Sequence, residues 1–358
     1  MNQAPDIQLL QELFKAAKQN LTPEIWDYLI GGAESETTLK RNRQALERLA
    51  FRPRVLRDVW EIDCGKDLLG IRQRIPVFTA PIGSLQDLHP EGAAAVARAA
   101  GKFGVLSMHS IVTKPSLEEI AAAHEGPKMF QLYIGGGHEW VDEWIPRAID
   151  AGYRAIAVTV DLDAYGFRER DVAKRYVVTS QRRGGTFQHI ARFNWDDVRR
   201  IKDRYQIPLI IKGIATAEDA EICCEHGVDV VYVSNHGGRQ LDHGRGCIDI
   251  LPEVVEAVGS RAQITVDGGF LRGTDVVKAI ALGADAVGIG KLVGYGVAAD
   301  GEQGVLRALE LLEDEITTCL ALLGVTCFDE LNAAYVQRCE PVSAPHLTSA
   351  YPLLEEGY

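Results

Sequence analysis

The chain has 358 residues, of which 38 are Lys or Arg and 50 are Asp or Glu, so its formal net charge is −12. With 46% hydrophobic and 25% charged residues it has an ordinary globular composition, which excludes a disordered chain, and the acidic balance offers no basic surface for nucleic acid. The 35 glycines, against 14 prolines, follow no repeat and indicate a fold with many small, permissive backbone positions.

The two ends of the chain and its cysteines predict a cytoplasmic protein. Residues 1–11 lack the basic and apolar regions of a signal peptide, the final EEGY is no peroxisomal signal, and no apolar run of about 18 residues predicts a transmembrane segment. The seven cysteines are scattered and form no CxxC pair, which predicts reduced thiols and argues against a structural zinc site. We expect no bound metal.

The first 74 residues predict a helical cap. Residues 7–19 (IQLLQELFKAAKQ) place apolar side chains at helical spacing. Pro23 begins a second helix, which ends at Gly31 and Gly32.

Eight short β-branched runs alternate with amphipathic segments from about residue 75 onwards. The runs lie at 75–81, 105–110, 128–133, 155–161, 208–213, 230–235, 264–269 and 286–291. Because they are continuously apolar, they indicate strands buried on both faces and therefore a parallel sheet. Eight strand–helix units predict an α/β fold, a (β/α)₈ TIM barrel, over residues 75–324.

A doubly wound open sheet is the alternative to the barrel. Such a sheet normally carries a GxGxxG motif after its first strand, and none follows residues 75–81. Residues 304–324 form a long amphipathic segment that predicts a C-terminal helix, and residues 325–358 form a tail. No linker rich in Pro or Ser interrupts the chain, so we predict a single domain.

The ends of the strands are expected to form the active site, because enzymes with this barrel place it there. The sixth run ends in SNHGGRQLD (234–242). His236 has the side chain whose pKa suits a general base near neutral pH, and Arg239 can hold a carboxylate with its forked guanidinium. This pattern predicts proton abstraction from an acid, and a structural histidine is the alternative.

Charged residues also end the fourth and fifth runs. Asp161 can orient and stabilise an imidazolium, and Arg168 is a second candidate for holding a carboxylate. Lys212 lies at the end of the fifth run, where its residue type leaves two alternatives, a Schiff-base nucleophile or a fixed positive charge.

The ends of the seventh and eighth runs carry glycines and basic residues, in DGGFLRG (267–273) and GIGK (288–291). Barrels commonly bind phosphate after these strands. Glycine amides can approach an anion closely and a cation can neutralise it, so a phosphate site is predicted. The alternative is that these glycines only form turns.

Several motifs in register resemble the FMN-dependent α-hydroxy acid oxidase/dehydrogenase family. They are WDYLIGGAESETTLKRN, FQLY, TVD followed by GFRERD, IIKGI, SNHGGRQLD and DGGFLRGTDVVKAIALGA, and they run in order from about residue 8 to about residue 335. The resemblance implies an FMN-binding (β/α)₈ barrel. It also implies oxidation of an (S)-2-hydroxy acid to the 2-oxo acid, with electrons passing to O₂ or a quinone-type acceptor.

The resemblance implies roles for individual residues. His236 takes the α-proton, or the hydroxyl proton in a hydride-transfer account, and Asp161 is its partner. Arg168 and Arg239 hold the substrate carboxylate. The tyrosines that complete the substrate pocket are Tyr28 and Tyr133.

The resemblance also resolves the role of Lys212, which becomes a fixed positive charge beside flavin N1/C2=O that stabilises the reduced flavin. Further cofactor contacts are implied across the barrel mouth. They are Ile82, Gly83, His109, Ser110, Gln131, Thr159, Ser234, Gly237, Asp267, Gly269, Arg272, Gly290 and Lys291.

Three departures from the family pattern affect these expectations. Leu271 and Lys291 stand where the family usually has phosphate-binding arginines, and Arg272 or Lys291 could supply the lost charge. His109 stands where the family usually has a small hydroxyl residue, unless a shift of one residue places Ser110 there. The segment between Tyr176 and Trp195 is shorter than the family's lid, which indicates a more open pocket or an atypical substrate.

Two other functions remain alternatives. One is an FMN barrel with different chemistry, such as an isomerase or a tailoring oxidase for a larger substrate. The other is a barrel that has lost flavin and serves as a binding protein, against which the retained His236, Arg239 and Lys212 argue. By analogy with the family we also expect a homo-oligomer, specifically a tetramer.

Overall fold

The computed structural model describes residues 7–179, 187–342 and 344–358. Its N-terminal region begins with three helices. Three short strands follow them. These elements are α1 (Leu10–Asn20), α2 (Pro23–Ile30), α3 (Thr37–Glu47), β1 (Leu49–Phe51), β2 (Lys66–Leu68) and β3 (Ile71–Gln73). Pro23 begins α2 at its first position, where the missing N–H loses no helical hydrogen bond. The β2–β3 hairpin, which sequence patterning missed, places Leu68 against the barrel interior.

Eight parallel strands close into a barrel in which each strand pairs with the next and the last returns to the first. They are β4 (Val77–Thr79), β5 (Ser107–Ser110), β6 (Lys128–Leu132), β7 (Ala155–Thr159), β8 (Leu209–Ile214), β9 (Val230–Val233), β10 (Gln263–Val266) and β11 (Ala286–Ile289). The strands are buried along nearly their whole length, as their continuous apolar runs require. The predicted fold class, a (β/α)₈ TIM barrel with a helical cap and a C-terminal helix, is confirmed, and the open doubly wound sheet is excluded.

Helices lie between the strands around the barrel. They are α4 (Leu85–Leu88), α5 (Gly92–Phe103), α6 (Leu117–Ala122), α7 (Gly137–Asp150), α8 (Glu169–Lys174), α9 (Phe187–Ile190), α10 (Trp195–Arg204), α11 (Ala217–Glu225), α12 (Cys247–Val258) and α13 (Gly273–Ala281). The helix α14 (Lys291–Leu323) follows β11, and a last strand, β12 (Val336–Arg338), pairs with β1 in antiparallel orientation. Among the described helices none is both long and apolar enough to cross a membrane.

The C-terminal helix starts earlier than the sequence pattern predicts. α14 begins at Lys291 and is kinked at Asp300 and Gly301, whose dihedral angles leave the helical region. Gly301 has φ +52°, a left-handed conformation that glycine adopts without steric cost. The amphipathic segment from residue 304 is therefore the second half of a longer, bent helix that packs against α1 and α5.

Strand alternation decides which side chains enter the barrel. Phe78, Met108, Met129, Ile210 and Tyr232 pack together inside it, each from a different strand. Residues two positions further along a strand face the same way. The inner side chains at the carboxyl ends of the strands therefore form the floor of a site.

Candidate active site

A histidine–carboxylate pair lies at the carboxyl ends of β9 and β7. His236 Nδ1 is 2.9 Å from Asp161 Oδ1, and the His236 backbone N–H donates to Ser234 Oγ at 3.1 Å. His236 has φ +58°, and Gly237 and Gly238 follow it with positive φ. A Cβ on Gly238 would lie 2.5 Å from the backbone of Leu39, so the loop passes too close to α3 for any larger residue.

The charges of this pair suit a general base. Burial lowers the pKa of His236, although Asp161 opposes the shift. Burial alone would raise the pKa of Asp161, but the charges of His236 and Lys212 outweigh it and the pKa is lowered. Because Nδ1 faces an anionic oxygen, Nδ1 is the donor and Nε2 keeps a lone pair. Nε2 lies 3.4 Å from the Tyr133 hydroxyl.

Two arginines lie beside this pair without a carboxylate partner among the described residues. Arg239 donates to the backbone carbonyls of Tyr28 and Gly31, at 2.7 and 2.9 Å. Arg168 donates to Tyr165 and to Gln240 Oε1, and burial together with the neighbouring Arg239 lowers its pKa to about 10. Neither arginine forms a direct salt bridge among the described residues, although the Asp171 carboxylate acts on both from a greater distance. Two neighbouring cations of this kind form a site for an anion.

A polar network forms the floor of the site. Lys212 Nζ donates to Ser234 Oγ at 2.9 Å and lies 3.8 Å from Asp267 Oδ2. Ser234 Oγ in turn donates to Asp267 Oδ1 at 2.7 Å. An ammonium held this way provides a fixed positive charge, and no element of the arrangement calls for a Schiff base.

Unpartnered polar atoms beside this network indicate a missing polar ligand. Gln131 Nε2 and Thr159 Oγ1 are buried and form no hydrogen bond within the described structure, whereas Ser110 Oγ donates to Gln131 Oε1 at 2.6 Å. Buried polar atoms are rarely left unpaired in folded proteins. The isoalloxazine of FMN, with its own donors and acceptors, fits this floor.

A cavity of about 870 Å³ opens above the barrel mouth. The predicted site residues that line it are Tyr28, Ile82, Gly83, Tyr133, Arg168, Lys212, His236, Gly237, Arg239, Asp267, Gly269, Gly290 and Lys291. Asp161 lies behind His236, and Ser110, Gln131, Thr159 and Ser234 lie in the buried layer beneath. The sequence thus brings most of its candidates to one place.

In β5, the second strand of the barrel, His109 does not take the predicted place beside the cofactor site. His109 alternates with the inward-facing Met108, lies 2.8 Å from Ser107 Oγ through Nε2 and does not line the cavity. Burial, with the charge of Lys128, lowers the pKa of His109 to about 3, so it is a neutral residue on the outer face of the strand. Of the two alternatives for this strand, the structure favours Ser110.

At the predicted phosphate site, the two candidate replacements for the missing charge lie in different places. Arg272 pairs with Glu315 of α14 at 2.8 Å and does not line the cavity, so it does not replace the charge missing at Leu271. Lys291 does line it, and its Nζ donates to the carbonyls of Ile30 and Gly31. Gly290 caps the N-terminus of α14, where free N–H groups favour an anion.

The cavity also has a wall that the motifs did not reveal. Trp140, Trp144, Leu162 and Ile190 line it beside Tyr133. Trp140 Nε1 donates to the Tyr133 carbonyl at 2.9 Å. The tryptophans belong to the amphipathic pattern of α7, which gives no hint that they face a ligand. Tyr165, also missed, lies between the TVD and GFRERD segments, directly before Gly166, and its place between Asp161 and Arg168 could have revealed it.

One predicted feature falls partly outside the described residues. The shortened lid between Tyr176 and Trp195 includes residues 180–186, which the structure does not describe. The part that is described includes α9, which supplies Ile190 to the cavity.

A family model described as FMN-dependent dehydrogenase matches residues 17–338 of the chain. The chain belongs to this family. Glycolate oxidase 1 of Oryza sativa subsp. indica is 36% identical over 371 residues, covering 98% of this chain and 100% of the relative. A peroxisomal (S)-2-hydroxyacid oxidase of Arabidopsis thaliana is 37% identical over 356 residues, covering 94% and 97%.

Among solved structures, a mutant of an active chimera of (S)-mandelate dehydrogenase superposes on this FMN-dependent dehydrogenase with a TM-score of 0.88. It is 34% identical and the match covers 92% of this chain and 99% of the other. The predicted family, the oxidoreductase class and FMN as cofactor are thereby confirmed. Oxidation of 2-hydroxy acids is confirmed as the chemistry of its relatives.

Proposed function

We propose that this FMN-dependent dehydrogenase oxidises (S)-2-hydroxy acids to 2-oxo acids with His236 as the base. The observation that carries the proposal is the His236–Asp161 pair, 2.9 Å apart, with His236 lining the cavity. Beside it lie two arginines that form no salt bridge with a carboxylate in the described part of the chain. The names of the relatives support both the substrate class and its (S) configuration.

The substrate carboxylate binds to Arg168 and Arg239. A carboxylate there supplies the direct salt-bridge partner that neither guanidinium has among the described residues. Tyr28, whose ring lies 4.8 Å from the Arg239 guanidinium, and Tyr133 close the sides of this subsite. The bound acid is thereby held with its C2 carbon near His236.

His236 Nε2 accepts a proton from the substrate, either from C2 or from the hydroxyl group. Either account leaves an imidazolium, which the Asp161 carboxylate stabilises through Nδ1. The substrate loses two electrons and two hydrogens in all, and its C2–OH becomes a carbonyl. FMN, when bound, supplies the acceptor for the two electrons and the second hydrogen.

Residues of the barrel mouth hold the flavin in this proposal. Lys212, Gln131 and Thr159, which lie in the floor of the site, would hold the isoalloxazine with their polar atoms. Ser110 and Ser234 support them from beneath, and Ile82, Gly83, Gly237 and Asp267 line the cavity around it.

The phosphate of FMN binds at Gly269, Gly290 and Lys291 in this proposal. Burial and the charge of Arg239 lower the pKa of Lys291 well below its ordinary value. A phosphate anion beside Nζ would favour the charged ammonium, so cofactor binding and protonation of Lys291 support each other.

The apolar wall favours a substrate with a large side chain. Glycolate carries no side chain on C2, whereas the cavity offers Trp140, Trp144 and Leu162 beside the carboxylate subsite. Mandelate, the acid named for the structural relative, carries a phenyl group. We therefore propose that acids with an aromatic or long aliphatic side chain are oxidised with a higher kcat/KM than glycolate.

The test is anaerobic mixing of the purified holoenzyme with a panel of acids that contains glycolate, (S)-lactate, (S)-mandelate and (R)-mandelate. Loss of the visible flavin absorption with an (S) acid, and a matching amount of 2-oxo acid, is the expected result. Failure of every acid would overturn the activity. A faster reaction with glycolate than with mandelate would overturn only the substrate preference.

Acceptor, assembly and compartment complete the proposal. One stopped-flow experiment compares reoxidation of the reduced enzyme by O₂ with reoxidation by a soluble quinone. The faster acceptor separates an oxidase from a dehydrogenase. We propose a homo-oligomer, specifically a tetramer by analogy with the family. The exposed Val55, Leu56 and Trp60 offer an apolar surface for a subunit interface, and light scattering tests the number of subunits. The cytoplasm is supported by cysteines that are all free. Cell fractionation tests the compartment, because one relative is named as peroxisomal.

A further inference from the structure

The Arg168 guanidinium is held by neutral oxygens. Only 7% of the residue is exposed, yet its hydrogen-bond partners among the described residues are the Tyr165 hydroxyl, Gln240 Oε1 at 3.3 Å and the Arg239 carbonyl at 3.4 Å. A buried arginine ordinarily pairs with a carboxylate, which cancels its charge and occupies its fork. Neutral oxygens fix the direction of the fork and leave its charge available for a ligand.

Tyr165 contacts this guanidinium in two ways. Its hydroxyl accepts a hydrogen bond from Arg168 Nη1, and the guanidinium carbon lies 4.1 Å from the centre of its ring. A guanidinium over an aromatic face is attracted by the ring electrons. Burial raises the pKa of Tyr165 to about 12, so the phenol is neutral under ordinary conditions and does not cancel the arginine's charge.

The backbone on either side of Tyr165 is tied to the Arg239 loop. The carbonyl of Ala164 accepts a hydrogen bond from Gln240 Nε2 at 2.9 Å. Gly166 packs so closely that a Cβ there would lie 2.3 Å from the Arg239 carbonyl oxygen. The position of the Tyr165 ring is therefore fixed relative to both arginines of the carboxylate subsite.

We propose that Tyr165 is a positioning residue for the substrate carboxylate. Its ring face and hydroxyl hold the Arg168 guanidinium in the direction that receives the carboxylate, and its neutrality leaves that charge uncancelled. This inference rests on the proposed function, because it assigns Arg168 to the substrate. It adds a residue that no match to the family motifs supplied.

The test compares Tyr165→Phe, which keeps the ring, with Tyr165→Leu, which removes both contacts. For an (S)-2-hydroxy acid that reduces the wild-type flavin, we expect KM to rise about 5-fold in the first variant and about 30-fold in the second, with kcat within about 2-fold of wild type. The Kd of the 2-oxo acid for the oxidised enzyme, read from the flavin spectrum, rises in parallel.

Tyr153→Phe is the matched control, because it removes a buried hydroxyl that donates to the Leu117 carbonyl outside the cavity. FMN content and the thermal midpoint are measured for every variant, and if Tyr165→Leu does not fold, Tyr165→Phe decides. Unchanged KM and Kd, or a fall in kcat at constant KM, overturns the positioning role. If no 2-hydroxy acid reduces the wild-type enzyme, the proposed function fails instead, and that outcome is visible before any variant is made.

Discussion

Replacing Asp161 by asparagine removes the charge behind His236 and keeps the size of the side chain. The paired atoms are 2.9 Å apart, and the two side chains are only 18% and 13% exposed. For unit charges about 4 Å apart at an effective dielectric constant of about 20, the attraction is about 4 kcal/mol. The amide keeps part of this as a dipole, so we expect a loss of about 2–4 kcal/mol, or about 30- to 1000-fold in the rate of flavin reduction.

The assay is anaerobic stopped-flow reduction with a saturating (S)-2-hydroxy acid, with Asp163→Asn as the control. Asp163 is exposed and lies two residues further along the same loop. A decrease of less than about 5-fold for Asp161→Asn would refute the charge argument.

The pH profile gives a second check of the same substitution. The rate requires neutral His236, whose pKa is lowered from 6.5 by burial, so the wild-type rate falls only as the pH drops below 6.5. Asp161 raises the pKa of His236 relative to burial alone, so Asp161→Asn moves this acid limb to lower pH. A limb that moved to higher pH would contradict the assignment.

Three further substitutions test the base, the phosphate site and the stability of the loop that carries His236. His236→Ala should slow flavin reduction by about 10²- to 10⁴-fold, measured in the same assay, with FMN still bound at the wild-type ratio. Lys291→Met should weaken FMN binding at least about 10-fold and leave riboflavin binding unchanged in fluorescence titrations, and equal losses for both would contradict phosphate recognition. Asp242, which accepts from Thr38 N at 2.7 Å and Ser35 Oγ at 2.7 Å, has a pKa that these and other hydrogen bonds lower against the opposing effect of burial. Asp242→Asn should therefore lower the free energy of unfolding by about 1–3 kcal/mol at neutral pH. Because the folded pKa is the lower one, this difference should shrink as the pH falls below about 4, and a difference independent of pH would refute it.

The sequence predicts those parts of the site that depend on the strand pattern. Asp161 and Lys212 lie at the ends of apolar runs and His236 follows one directly. The ends of parallel strands must meet at one edge of a barrel, so the proximity of these residues follows from topology. Lys212 Nζ, for example, reaches Ser234 Oγ of the next strand at 2.9 Å.

The sequence predicts less well those residues whose position depends on which face of a strand they occupy or on a partner far along the chain. His109 and Ser110 differ by one position, and in a strand buried on both faces the sequence does not say which of two neighbours points inward. Arg272 forms a salt bridge with Glu315, which is 43 residues further along the chain and which local sequence patterns do not reveal. Trp140 belongs to an amphipathic helix in which a side chain that lines a cavity has the same spacing as one in the core.

One carbonyl oxygen joins the two anion sites of the cavity. Gly31 O, at the C-terminus of α2, accepts from Arg239 Nη1 at 2.9 Å and from Lys291 Nζ at 3.4 Å. A phosphate that pairs with Lys291 Nζ in place of this oxygen would leave Gly31 O to Arg239 alone. We therefore expect occupancy of one end of the cavity to change the free energy of binding at the other. Linkage requires such an effect to be equal in both directions, so the affinity for substrate would differ between enzyme with and without phosphate bound at Lys291.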